Sequence, residues 1–312
     1  MIIGHQKQLN YLKRMAESGK IPHALLFSGQ KKLGKKTIAS EFIFWLFEEP
    51  GVPKILGHPD FILIEPQEKH PEAERSSLRG SPAPSSALVR GQIQINQIRD
   101  LSWRLSLKPI KAKLKAVIID EAHSMTPEAQ NCFLKTLEEP KGNTLLILVT
   151  DKPNFLFPTI ISRCQIIKFY PVKKDEIKRY LKNQEGLSEG EIEEILEISR
   201  GRPGLSIELA SSKDKFEFYK ERIKELDEIL NSNLATRFQY AKDLSGKTNL
   251  REILEIWLNY FRNVFIKNCL ISEVKQFKRL KNILQQIQRT IYLISTTNVN
   301  PRLALEILML EF

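Results

Sequence analysis

Five short apolar runs in the first 170 residues, separated by helical or loop-like stretches, constrain the fold of this chain most strongly. The runs are nearly continuous in apolar residues, as strands buried on both faces of a parallel sheet are. They are Ala24–Ser28, Phe61–Ile64, Leu114–Ile119, Leu145–Thr150 and Gln165–Phe169. The alternation predicts an α/β fold, with an open parallel sheet covered by helices.

The pattern after Phe169 is wholly helical. Ser188, with Glu191 three residues later, predicts a capping box, and Asn300 before Pro301 predicts the start of a final helix. Apolar stripes at helical spacing fill the region beyond residue 205, such as the one that contains Trp257 and Phe261. We expect these stripes to form a core. The sequence does not show whether these helices pack only within this chain or also against another subunit.

Residues 65–91 separate the second and third predicted strands and are rich in Pro, Ser, Glu and Arg. Such a segment cannot bury enough apolar surface to offset the entropy lost on ordering. We therefore predict a long mobile loop here, and its function is not readable from the sequence.

Composition narrows the functional classes. The 48 Lys and Arg residues exceed the 37 Asp and Glu residues, which gives a formal net charge of +11. This excess is compatible with an acidic partner such as nucleic acid, although the basic residues are spread along the chain. The three cysteines are far apart and form no CxxC pair, and no apolar run approaches about 18 residues. A soluble, cytoplasmic protein without a disulfide framework or zinc site is expected.

A glycine loop follows the first predicted strand and precedes a helical pattern. Gly29 and Gly34 would let backbone amides approach a phosphate, which Lys35 and the helix N-terminus would neutralise. The next position should be Ser or Thr for Mg²⁺ but is Lys36, and Thr37 is turned by about 100° around the helix. Two interpretations stay open: a nucleotide site with altered metal geometry, or a turn that binds nucleotide weakly or not at all.

Acidic residues follow the third predicted strand. At the carboxyl edge of the sheet, Asp120 would hold a Mg²⁺ shell and Glu121 would polarise a water molecule if the chain hydrolyses ATP. His123, in the same DEAH run, is interpreted as a surface polar residue. Thr150 ends the fourth predicted strand, where its hydroxyl could sense a γ-phosphate.

Arg163 lies in a Ser-Arg-Cys run before the fifth predicted strand. It would either pair with a local carboxylate, the usual fate of an arginine, or project as an arginine finger into the active site of a neighbouring subunit.

Several segments together resemble the bacterial DNA polymerase III clamp-loader subunits of the AAA+ class, the delta-prime type in particular. They are GHQKQLNYL (4–12), HPDFILI (58–64), IQINQIRDL (93–101), IIDEAHSMTPEAQNCFLKTLEEP (118–140) and LLILVTDKPNFLFPTIISRCQ (145–165). The resemblance is dense up to about residue 210.

The resemblance implies three domains, which we assign as a RecA-like AAA+ domain (1–170), a helical lid (171–208) and an oligomerising helical collar (209–312). Five subunits, of gamma/tau and delta type besides this one, would form a ring that loads a sliding clamp onto primer–template DNA. Arg163 would be the finger acting in trans. The nucleotide-binding residues would be Gly29, Gly34, Lys35, Lys36, Thr37, Asp120 and Thr150.

Three departures from the family pattern affect these expectations. The segment before the HPD run has no cysteines, so no zinc is expected. Lys36 replaces the magnesium hydroxyl, and Gly204 stands where hydrolysing relatives place a sensing arginine, with Arg202 nearby. The last two favour a stator with weak ATP and Mg²⁺ binding and little intrinsic catalysis over a gamma/tau-like motor. A DEAH-type helicase is the third alternative, but it would need a second RecA-like core.

Overall fold

The computed structural model describes residues 2–47, 57–67, 91–184, 186–268, 274–297 and 299–312. The described residues form two compact units, which divide between Ala210 and Ser211. Separate sheet and lid domains within the first unit stay a prediction. Residues 68–90 of the predicted mobile loop lie outside the described residues. Gln67, within the predicted loop, and Gln92, just after it, form an isolated antiparallel bridge.

The first unit contains a parallel five-stranded sheet with the strand order β2-β3-β4-β1-β5. The strands are β1 (Ala24–Ser28), β2 (Phe61–Ile64), β3 (Lys115–Ile119), β4 (Thr144–Thr150) and β5 (Gln165–Lys168). All five agree with the predicted runs to within one residue at either end. The predicted fold class is confirmed.

Helices cover both faces of this sheet. Those of the first unit are α1 (Gln6–Glu17), α2 (Lys35–Phe47), α3 (Ile95–Ser106), α4 (Pro127–Glu138), α5 (Pro158–Ile161), α6 (Lys174–Lys182), α7 (Glu189–Ser199) and α8 (Pro203–Ser211). The side chains of α3 and α4 share one apolar core with alternate strand residues, and those of α1 and α2 share a second core on the other face. Burial on both faces explains why the strands are almost continuously apolar.

All the secondary-structure elements described in the second unit are helices. It comprises α9 (Lys213–Leu230), α10 (Leu234–Ser245), α11 (Leu250–Asn268), α12 (Val274–Thr296) and α13 (Pro301–Glu311). Trp257 is fully buried at its core, with its indole N–H donating to the Arg222 carbonyl at 3.3 Å and its ring against Tyr240 and Phe312. The predicted core stripe around Trp257 and Phe261 is confirmed.

Predicted helix starts are confirmed where their caps are described. Ser188 and Glu191 form the reciprocal capping box of α7, and the Asn300 side chain accepts the Arg302 amide at the start of α13. Among the described helices, none combines the length and the apolar character needed to cross a membrane.

Candidate functional site

The glycine loop joins the end of β1 to the start of α2. A Cβ atom at Gly29 would lie 2.5 Å from the Phe169 carbonyl oxygen, and Gly34 has a φ of +85°. Only glycine satisfies both positions without strain. Because α2 begins at Lys35, its first amide groups have no intrahelical acceptor and face the loop. The geometry of an anion-binding loop is present.

Lys35 is buried directly beside this loop. Its Nζ donates to the carbonyl oxygens of Gly29 at 2.7 Å and Gln30 at 2.6 Å. Burial lowers the pKa of Lys35 to about 8, against the opposing fields of Asp151 and Asp120. The ammonium therefore stabilises the loop itself.

Lys36 lies between two carboxylates at the carboxyl edge of the sheet. Its Nζ forms an ion pair with Glu65 and lies 3.5 Å from Asp120 Oδ2. Glu65 and Asp120 directly follow β2 and β3, which are paired neighbours whose last residues, Ile64 and Ile119, are in register. Burial opposes the charge on Lys36, but the Glu65 hydrogen bond and the Asp120 field outweigh it, so its pKa is raised.

Glu121, the candidate base, is also paired with a lysine of the loop. Its Oε1 lies 3.6 Å from Lys31 Nζ, and its backbone adopts a left-handed φ of 47°. The Glu121 amide donates to Asp120 Oδ1 at 2.9 Å. Both acidic residues of the DEAH run thus have a basic partner within this chain.

Thr150 is buried at the end of β4 and belongs to a polar cluster. Its hydroxyl lies 3.3 Å from His123 Nδ1 and accepts the Lys152 amide at 3.0 Å, while Asp151 Oδ1 lies 3.3 Å from the same ring nitrogen. The interpretation of His123 as a surface residue is wrong, because the short 3-10 turn over residues 122–124 directs it inward. Burial lowers the pKa of His123, against the opposing field of Asp151.

The start of α8 contacts the glycine loop. The Gly204 amide donates to the Lys32 carbonyl at 2.9 Å, and a Cβ atom at Gly204 would lie 2.9 Å from that oxygen. The Lys32 ammonium pairs with Glu208 of α8, and His5 Nε2 lies 2.9 Å from the Leu33 carbonyl oxygen. A side chain at position 204 would displace the loop, which explains glycine at this position.

Arg163 lies at the other edge of the sheet. It precedes β5, which runs parallel to β1, so it is at the amino edge whereas the glycine loop is at the carboxyl edge. Its guanidinium forms an ion pair with Glu138 at 2.7 Å and donates to the Thr159 carbonyl at 3.1 Å. Within one chain Arg163 therefore pairs with a local carboxylate and is remote from the chain's own loop.

The structure brings most of the predicted nucleotide-binding residues together. Gly29 and Gly34 lie in the loop, and Lys35 and Lys36 begin α2 directly after it. Asp120 lies beside Lys36, the Thr150 carbonyl accepts the Gly29 amide at 3.2 Å, and Thr37 is exposed on α2. Glu65 and Lys31 were missed by the sequence analysis, although Glu65 follows a strand as Asp120 does. Within the described ranges, no group of three or more His, Cys, Asp and Glu side chains could hold a metal ion.

Comparisons with known proteins match this chain to subunits of DNA polymerase III. The family model described as "DNA polymerase III, delta subunit" matches residues 4–173. DNA polymerase III subunit delta' of Bacillus subtilis is 27% identical over 273 residues, which are 82% of this chain and 75% of that protein. The subunit delta' of Pseudomonas aeruginosa is 30% identical over 155 residues, 46% of this chain and 41% of that protein.

One solved structure resembles the whole described fold. A DNA polymerase III gamma subunit-related protein from Thermotoga maritima superimposes with a TM-score of 0.52 and 18% identity, covering 97% of each chain. At this identity the likeness concerns the fold alone.

Proposed function

This chain belongs to the DNA polymerase III delta subunit family, and we propose that it is a delta-prime-like stator of the clamp loader. In this function it assembles with gamma/tau and delta-type subunits in a five-subunit ring, which loads the sliding clamp onto primed DNA in the cytoplasm. It supplies Arg163 to the ATP site of a neighbouring subunit and hydrolyses little ATP itself.

The observation that carries this proposal is the pairing of Glu65, Asp120 and Glu121, the acidic residues that follow β2 and β3, with lysine side chains. Lys36 pairs with Glu65 and Asp120, and Lys31 pairs with Glu121. A general base must be free to accept a proton from water, and a metal-binding carboxylate must be free to accept a cation. Each of these pairs is partly exposed and would not by itself prevent catalysis. Lys36 also replaces the Ser or Thr hydroxyl that ligates Mg²⁺ in a phosphate-binding loop, and the two features together suit a subunit that has little catalysis of its own.

The position of Arg163 supports a role towards another subunit. It is at the amino edge of the sheet, away from the chain's own loop, and 37% of its side chain is exposed. An exposed ion pair such as Arg163–Glu138 contributes at most about 1 kcal/mol. The guanidinium can therefore leave Glu138 for a phosphate at little cost.

The Arg163→Ala variant in a reconstituted ring tests the proposal. An arginine finger contributes on the order of 10³-fold or more to the rate of phosphoryl transfer. We expect Arg163→Ala to reduce hydrolysis at the neighbouring subunit's ATP site by that order while the ring still assembles, as checked by size-exclusion chromatography. The matched control is Arg179→Ala on α6, an exposed arginine that should leave hydrolysis unchanged. Equal hydrolysis by both rings would eliminate the finger assignment.

The retained loop geometry favours a second candidate, a gamma/tau-like motor that hydrolyses ATP. Calorimetric titration of the isolated chain with ATP and Mg²⁺ separates the two candidates. A dissociation constant below about 10 μM, or roughly 7 kcal/mol of binding free energy, with turnover abolished in Glu121→Gln, favours the motor. Weak binding without turnover favours the stator. The DEAH-type helicase is not supported, because all strands among the described residues belong to one sheet.

A further inference from the structure

Lys36 combines two features that bear on the divalent cation of a phosphate-binding loop. It follows Lys35 directly, where the loop pattern has the Ser or Thr hydroxyl ligand. It also pairs with Asp120, the carboxylate that follows β3, and with Glu65, which follows the adjacent strand β2. The substitution therefore removes one metal ligand and engages two carboxylates at once.

Magnesium does not fit this set of residues. Mg²⁺ demands octahedral oxygen ligands at about 2.0–2.1 Å and is usually held by one or two carboxylates together with phosphate oxygens. With the Lys36 Nζ 3.5 Å from Asp120 Oδ2, a cation bound to that carboxylate would stand next to the ammonium. The two positive charges compete for the same oxygen atoms.

We propose that Lys36 is a built-in replacement for the divalent cation, and that this loop excludes Mg²⁺ by means of its own side chain. The acceptors are Asp120 and Glu65, which hold a lysine in place of a metal. Any nucleotide that enters the loop does so without a metal ion. The inference goes beyond the proposed function, since it concerns the isolated chain and needs no ring.

Manganese titration followed by electron paramagnetic resonance tests this proposal on the full chain, because free Mn²⁺ gives a signal that is lost on binding. The wild type and Asp120→Asn should bind Mn²⁺ equally weakly. Lys36→Thr, which restores a hydroxyl and frees both carboxylates, should gain one site with at least tenfold higher affinity. That site should disappear in the double variant Lys36→Thr/Asp120→Asn, and Lys36→Arg should behave as the wild type.

A matched control separates this effect from the mere exposure of an acid. Lys178 pairs with Glu193 on the surface of α6 and α7, so Lys178→Thr also frees a carboxylate but should gain no site. Stronger Mn²⁺ binding by the wild type than by Asp120→Asn would overturn the proposal, and so would the absence of any gain in folded Lys36→Thr. Because the wild-type comparison needs no Lys36 variant, it can overturn the proposal even if Lys36→Thr fails to fold. A failure here leaves the Arg163 test of ring hydrolysis unaffected.

Discussion

The two edges of the sheet neutralise their carboxylates in different ways. At the carboxyl edge, Glu65, Asp120 and Glu121 are paired with lysine side chains of the glycine loop and of the first turn of α2. At the amino edge, Asp60 precedes β2, is fully buried, and accepts three backbone amides, those of Ile110, Lys111 and Ala112. Side-chain pairs can exchange partners, whereas a backbone cage cannot. The amino-edge acid therefore stabilises the fold, and the carboxyl-edge acids set what the loop can bind.

The same substitution at both edges should separate these roles most clearly. Asp60→Asn replaces an acceptor of three amides at 2.7–2.8 Å with a group that presents an N–H₂ to one of them, and should cost about 3 kcal/mol of unfolding free energy. Asp120→Asn should cost less than about 1 kcal/mol, because its lysine partner is partly exposed. Native-state hydrogen exchange of the amides in β2 and β3 measures the loss of unfolding free energy in each variant. Equal costs would contradict the contrast between the edges.

The pH dependence of the unfolding free energy gives an independent measurement of how much the Asp60 carboxylate stabilises the fold. Burial alone would raise its pKa, but the hydrogen bonds from Ala112, Lys111 and Ile110 outweigh burial, and its pKa is lowered. A carboxyl with a lowered pKa adds stability above its unfolded value of about 3.9, and that stability is lost as the pH falls towards the folded value. Below about pH 4 the difference between the wild type and Asp60→Asn should therefore shrink. If the difference in unfolding free energy between the wild type and Asp60→Asn stays constant below about pH 4, the ionised Asp60 carboxylate is not its source.

The contrast between the edges also shows what could be predicted from the sequence. The strands, the glycine loop and the acids after β3 were predicted because each depends on local order: apolar runs, turn glycines and a strand end. The Lys36–Glu65 and Lys31–Glu121 pairs were not predicted, because they depend on which strands are neighbours in the sheet and on the direction in which the two lysine side chains point. Likewise, the hydrogen bonds to Asp60 join residues about 50 positions apart in the sequence. His123 was predicted at the surface because it is polar, and its polarity does not show that the short 3-10 turn directs its side chain into the protein.

Gly29→Ala sharpens the comparison at the carboxyl edge. Its new Cβ atom would meet the Phe169 carbonyl oxygen at 2.5 Å, and the loop must move to relieve this contact. Overpacking of this kind costs about 1–3 kcal/mol. The control is Gly190→Ala in α7, where nothing lies within 4 Å of the added atom and helix propensity favours alanine. Thermal unfolding should give a lower midpoint for Gly29→Ala and an equal or higher one for Gly190→Ala.

The smallest expected effect concerns the carboxylate that holds Arg163. Glu138→Gln removes a charge from an ion pair whose side chains are 37% and 49% exposed, so the unfolding free energy should change by less than about 1 kcal/mol. Asp100→Asn, which breaks the similarly exposed pair with Arg104 on α3, is the stability control. If Glu138 only holds the guanidinium until a neighbouring phosphate replaces it, a ring with Glu138→Gln should hydrolyse ATP within about twofold of the wild-type rate. A loss as large as that of Arg163→Ala would instead make Glu138 a positioning residue, without which the arginine cannot reach its target.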